Sequence, residues 1–144
     1  MSLKIAVQCD PIEHFQIEGD STFAMMLEAQ RRGHHLFYYH VKTLAYYNGA
    51  LSAEGHDVKV RDVKGAHFEL GHKKRIDLAT QDSILMRQDP PFDMAYITAT
   101  HLLDMIHPTT LVVNNPTEVR NAPEKLFILK FPNLMPPTDR KSVV

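Results

Sequence analysis

The residues of this 144-residue chain best suited to hold a charged small molecule stand where buried apolar runs end. The organising stretch is SILMRQDPPFD at residues 83–93. Arg87 offers a planar guanidinium that takes a carboxylate or phosphate through paired hydrogen bonds, each about 1.5–3 kcal/mol. Asp89 follows it, and Pro90 and Pro91 forbid the strand to continue because neither has an N–H for a ladder. Asp93 is placed to cap a following helix. The plainer reading is that Arg87 and Asp89 pair with each other or with solvent. Asp10-Pro11 closes an earlier apolar run, and Asn114-Asn115-Pro116 closes a later one. Three such loops at one sheet edge suggest a site for a small carboxylate-bearing molecule, since ligands of open α/β sheets bind at the carboxyl ends of the strands. The residue types alone name no reaction.

Other chemistries lack their residues. There is no G-x-G-x-x-G after the first strand and no G-x-x-x-x-G-K-[ST], and six scattered glycines cannot build such a phosphate cradle. No G-x-S-x-G hydrolase elbow occurs. The nine histidines do not fall at metal-ligand spacing: His34 and His35 diverge, His101 and His107 are off the i,i+4 pairing, and His67 and His72 lie in a polar stretch. They read as structural or surface residues, so no metal site and no catalytic residue is assigned. Cys9 reads as a small buried residue with no partner base, and as a single cysteine it forms no internal disulfide. A net charge of −1 gives no reason to invoke nucleic acid or an anionic membrane. There is no signal-like segment and no apolar run long enough to span a bilayer, which makes a cytoplasmic location the expectation.

A composition of 44% hydrophobic and 23% charged residues suits one folded domain. Residues 3–8 read as a buried strand, followed by a loop to Gly19 that exceeds the usual βα connection. Residues 21–32 read as a helix capped by Asp20 or Ser21, with Gly33 as its stop and Phe23, Met26, Leu27 and Gln30 near one face. The amides of its first turn could meet an anion at the sheet edge. Residues 35–40 form a second strand. Asn48-Gly49 between apolar flanks signals a hairpin, and residues 58–63 alternate like a half-exposed strand. Residues 64–74 read as irregular and mobile. The run at 84–86 is a buried strand, 92–107 a helix, 111–114 another strand, and 119–130 includes a short helix that starts near Ala122-Pro123 and holds Glu124-Lys125-Leu126. Residues 132–138, with three prolines, read as an extended linker. This order predicts an α/β domain with a mainly parallel sheet and an antiparallel hairpin excursion.

Together, DPI at 10–12, DSTFAMMLEAQRRG at 20–33, ILMRQDPPFD at 84–93, Val113-Asn114 with Pro116, and EKLF at 124–127 resemble the N-terminal domain of the bacterial-type glutathione synthetase. The second and third blocks are the specific ones. The resemblance implies a Rossmann-like leading domain of pre-ATP-grasp type, with helices on both faces of the sheet, over residues 1–131. Residues 132–144 would then be a linker into an ATP-grasp region. It implies an enzyme that ligates γ-glutamylcysteine and glycine with ATP and magnesium through an acyl phosphate. On this reading Arg87 holds a substrate carboxylate, Asp89 and the prolines fix the loop, Asp10 and Ser21 line or cap the site, and Lys125 reaches the nucleotide.

Members of that family run to roughly twice this length, and residues 139–144 do not resemble their continuation. The chain by itself is therefore expected to be inactive and to bind no cofactor tightly, and uncovered apolar surface is expected to drive homo-oligomers. The alternatives are another carboxylate–amine ligase of the same architecture, or a non-catalytic binding or assembly module.

Overall fold

A computed structural model describes residues 1–137 of the chain. Four strands run parallel: β1 (Lys4–Gln8), β2 (His35–Tyr39), β6 (Ser83–Met86) and β7 (Leu111–Val113). Their order is β2-β1-β6-β7, so β1 has β2 on one side and β6 on the other. Each strand alternates the face to which its side chains point. Ile5, Val7, Leu36 and Tyr38 bury one face against Phe23, Met26 and Ala29 of α1 (Ser21–Arg31). Ala6, Phe37, Tyr39, Ile84, Met86 and Val112 bury the other against Leu103 of α2 (Met94–Asp104), with Tyr96 and Leu102 packed alongside. Helices thus cover both faces, as a buried parallel sheet requires.

Both helices begin with side-chain caps. Asp20 accepts from the Phe23 amide at 2.8 Å and Asp93 from the Tyr96 amide at 3.0 Å. Gly33, at φ 78°, ends α1 in the left-handed region as expected of a C′ glycine. Gln30, read as part of the apolar face, instead bridges α1 to the sheet by donating to the Val60 carbonyl and accepting from the Val60 amide, at 2.7 and 2.8 Å.

The antiparallel excursion is larger than the sequence suggests. β3 (Ala45–Tyr47) turns at Asn48 and Gly49, both at positive φ, into one continuous strand, β4 (Ala50–Val60). β3 and β2 share one edge of β4, while β5 (Phe68–Asp77) takes the other. The irregular segment expected over residues 64–74 is therefore mostly strand. Its period was hidden because β5 carries charged residues on an exposed edge, which also discourages edge-to-edge association. A bulge hid it further. His56 pairs with Lys73 and Val58 with Leu70, so Asp57 stands opposite both Gly71 and His72. The extra residue flips the alternation, and Phe68 and Leu70 pack on the α1 side while Ile76 packs on the α2 side.

Beyond β7, Asn115 caps α3 (Pro116–Asn121), a helix the sequence reading did not place; the short helix it did place over residues 124–126 follows as a separate element. It packs on α2 through Arg120, which donates to the Asp104 carboxylate at 2.5 Å and to the Thr100 hydroxyl at 3.1 Å. A short α4 (Glu124–Phe127) and 3₁₀ turns at Ile128–Lys130 and Pro132–Leu134 follow, so the stretch read as an extended linker opens with a helical turn. Leu126, Ile128, Leu129, Phe131 and Leu134 are exposed there. The tail at 139–144 lies outside the described residues. Among those described, no helix is long and apolar enough to cross a membrane.

A Cβ at Gly55 would stand 2.1 Å from the Tyr38 carbonyl oxygen and 2.9 Å from the Tyr39 Cβ. Gly55→Ala is expected to lower unfolding free energy by about 2–4 kcal/mol, whereas Gly19→Ala, with open space around it, is expected to change it little; urea denaturation of both reads the difference. Arg120 holds the Asp104 carboxyl below the usual range, chiefly through its hydrogen bond. A carboxyl lowered in the folded state stabilises above its unfolded value, near 3.9, and that contribution fades as pH falls through the folded value. Asp104→Asn is expected to lower stability at neutral pH by about 1–2 kcal/mol and to flatten the loss of stability below pH ~4, followed by thermal melts across pH.

Candidate functional site

The chain leaves β1 for β2 on one side and returns to β6 on the other. The connections α1 and α2 therefore diverge to opposite faces, and a crevice opens at the carboxyl ends of β1 and β6. In-register pairing of Gln8 with Met86 brings the two ends together. Asp10 leaves one strand and residues 87–89 leave the other.

Arg87 is tied at both ends. Its backbone amide donates to the Gln8 carbonyl at 2.7 Å, extending the β1–β6 ladder by one bond. Its guanidinium reaches the first turn of α1, where Nε donates to the Thr22 hydroxyl at 3.0 Å and Nη2 to the Ser21 hydroxyl at 2.8 Å. Both acceptors are neutral, and no carboxylate of the described residues lies within 4.0 Å of it. The Arg87–Asp89 pair of the plainer reading does not form. Nε is directed to α1, so the Nη1–Nη2 edge, the fork that grips a carboxylate bidentately, has an N–H on each nitrogen still to place.

Asp89 and Asp10 meet through the backbone. Asp10 accepts from the Asp89 amide at 2.6 Å, pinning the start of the Pro-Pro loop to the end of β1. The other Asp10 oxygen lies 3.8 Å from His40 Nε2, whose ring accepts the Lys42 amide through Nδ1 at 3.2 Å. Beneath the loop, the fully buried Gln8 donates its Nε2 to Gln88 Oε1. The Phe92 and Tyr96 rings meet at 5.2 Å between centroids, tilted by 58°, where the loop enters α2.

The site has a mixed electrostatic character. Cys9 is 2% exposed, and burial pushes its thiol well above the usual range. Asp10, Asp20 and Asp89 push it the same way, and Arg87 opposes them. A thiol so raised stays protonated and is no nucleophile, in agreement with the structural reading of Cys9. The Tyr96 hydroxyl is raised by burial, against the pull of Arg87.

Of the residues the sequence singled out, Asp10, Ser21, Arg87 and Asp89 converge. Asp20, not Ser21, is the helix cap, which leaves the Ser21 hydroxyl for Arg87. In the third loop Asn115 caps α3, accepting from the amides of Thr117 and Glu118, and its Nδ2 lies 3.3 Å from His107 Nε2. Lys125 lies in α4, apart from these contacts in sequence, and its side chain is outside what the structure describes. Thr22, Gln8, Gln88 and His40 were not anticipated. Only the polar character of Gln8 at the end of an apolar run could have drawn attention to it. Several of the histidines serve the backbone: His67 Nε2 lies 2.8 Å from the Ile12 carbonyl, His56 Nδ1 2.8 Å from the Gly71 carbonyl, and His34 and His107 accept amides of Leu3 and Val112. Among the described residues, no three His, Cys, Asp or Glu gather as a metal site.

Residues 3–120 match the family model described as prokaryotic glutathione synthetase, N-terminal domain. A glutathione synthetase of Rhodopseudomonas palustris is 57% identical over 138 residues, 96% of this chain and 44% of the relative. One of Brucella melitensis is 59% identical over the same shares. One of Vibrio vulnificus is 40% identical over 139 residues, again 96% of the chain and 44% of the relative. The chain spans less than half the length of these relatives. With the family model covering most of it, the chain belongs to the family of prokaryotic glutathione synthetase N-terminal domains.

Proposed function

We propose that this chain is the substrate-gripping leading part of an ATP-dependent ligase that joins γ-glutamylcysteine to glycine. The observation that carries this reading is the Arg87 guanidinium, held by two neutral hydroxyls at a sheet switch point with no carboxylate partner among the described residues. Arg87 grips a substrate carboxylate through its Nη1–Nη2 edge. Ser21 and Thr22 fix the plane of the guanidinium, so little rotamer entropy is lost when the ligand binds. Asp10 holds the Asp89 amide, and with the following prolines this keeps the loop from sagging into the crevice. The neighbouring carboxylates Asp10, Asp20 and Asp89 suit a ligand that also carries an ammonium group, as a γ-glutamyl peptide does.

Family membership and the names of the relatives support the reaction class. In it, phosphorylation of the cysteinyl carboxylate by ATP makes an acyl phosphate, which the glycine amine attacks to release phosphate. Magnesium supplies charge neutralisation on the phosphates when bound. The described residues offer no carboxylate cluster for it. Lys125 is assigned to the nucleotide side of the cleft. The leading domain ends near residue 131, and the magnesium ligands and most nucleotide contacts belong to the region that the longer relatives carry beyond it. This chain alone does not turn over ATP.

Calorimetric titration with γ-glutamylcysteine is expected to give weak binding to the chain and a loss of about tenfold or more in affinity for Arg87→Ala, the magnitude of a charged hydrogen-bonded pair. Equal affinity of the variant would overturn the assignment of Arg87. ADP release by the chain that depends on both γ-glutamylcysteine and glycine would overturn the expectation of inactivity.

A further inference from the structure

Gln8 is the one amide on β1, and it is fully buried in a strand whose other inward residues are apolar. Its Nε2 donates to Gln88 Oε1, while its own Oε1 is buried with no hydrogen-bond partner. A half-satisfied buried amide destabilises a fold, and an apolar residue of the same shape would remove that penalty. What Gln8 accomplishes is visible at its partner. With Gln88 Oε1 turned inward to Gln8, the Gln88 amide can present only its Nε2 to the crevice. Neither Nε2 hydrogen has a partner among the described residues. Gln88 stands between Arg87, which offers its guanidinium fork, and Asp89, which is pinned to Asp10.

We propose that Gln88 is a second substrate-binding donor beside Arg87, and that Gln8 is the positioning residue that fixes which end of the Gln88 amide faces the ligand. The proposal rests on the reading of Arg87 as a carboxylate holder. A carboxylate has about four lone-pair positions, of which a guanidinium fork takes two. A neutral amide donor at the next residue takes the peptide carbonyl oxygen near that carboxylate, an acceptor that a simple anion lacks. It adds hydrogen bonding without charge. The pair therefore selects a peptide that carries a carboxylate next to an amide carbonyl over a simple anion of equal charge.

The test is a nitrogen-15 NMR titration of the 144-residue chain with γ-glutamylcysteine, with inorganic phosphate as the simple-anion control. The Gln88 side-chain amide pair is expected to shift saturably with γ-glutamylcysteine, at the same apparent Kd as the Arg87 Nε signal, and to move little with phosphate. Gln88→Met is expected to weaken binding about tenfold, and Gln88→Glu more, while Gln88→Lys, which keeps a donor, retains it. Gln8→Leu is expected to weaken binding several-fold with thermal stability unchanged or raised, and the double variant to bind no worse than Gln88→Met alone, the coupling expected when one residue acts through the other. Gln88 is partly exposed, so its variants read the proposal even if Gln8→Leu fails to fold. Gln88→Met binding within twofold of wild type overturns the proposal; if Arg87→Ala still abolishes binding, the carboxylate reading stands without it. Loss of neither interaction on Arg87→Ala, or no saturable shift of the wild type at millimolar peptide, overturns both.

Discussion

The bond from the Arg87 amide to the Gln8 carbonyl depends on one constraint, the in-register parallel pairing of β1 and β6. These strands are separated in sequence by a helix, a strand and the whole antiparallel excursion, yet their ends must coincide for the crevice to exist. A slip of one residue would turn Ile84 and Met86 from the α2 core to the α1 side, which is why the apolar alternation sets the register so firmly. Once the register holds, residues 8–10 and 87–89 face each other across one ladder spacing, and α1 presents its first turn above them. The contacts of Arg87, Asp89 and Gln88 all follow from that alignment.

The loop after β6 is held by more than its prolines. Asp10 grips the Asp89 amide, and the buried Gln8 grips both the backbone of Arg87 and the side chain of Gln88. The guanidinium is held from the other side by α1. A charged group fixed in place before its ligand arrives binds with less loss of conformational freedom. The same region keeps Cys9 inert, because burial and three neighbouring carboxylates all disfavour the thiolate. Among the described residues, Arg87 is the cation prearranged in this polar crevice.

The sheet continues on both sides of the crevice. On the far side of β2, the long β4 and the bulged β5 continue the sheet, with charged residues along the outer strand. On the near side, α3 closes over α2 through the Arg120–Asp104 pair, and Asn115 is committed to capping rather than to the crevice. The contacts recorded at the crevice run between the ends of β1 and β6 and the first turn of α1.

Local physical chemistry made much of this legible in the sequence. The apolar runs at 3–8, 84–86 and 111–113, the Asp20 and Asp93 caps, the Gly33 stop and the Asn48-Gly49 turn each act over a few residues, so they could be read without the fold. The Pro-Pro loop and its Arg87 were legible for the same reason. β5 was not, because an exposed edge strand shows little apolar alternation and a bulge inverts what remains. The partners of Arg87 were equally hidden: Ser21 and Thr22 lie more than sixty positions away, and a hydroxyl at the start of a helix looks like a capping residue until the register of two distant strands brings it to a guanidinium. The sequence by itself determined which segments become strands and helices and which residues could carry charge at their ends. Only the tertiary structure decided which of those ends meet, because the local alternation fixes each strand's buried face but not which distant strand it pairs with.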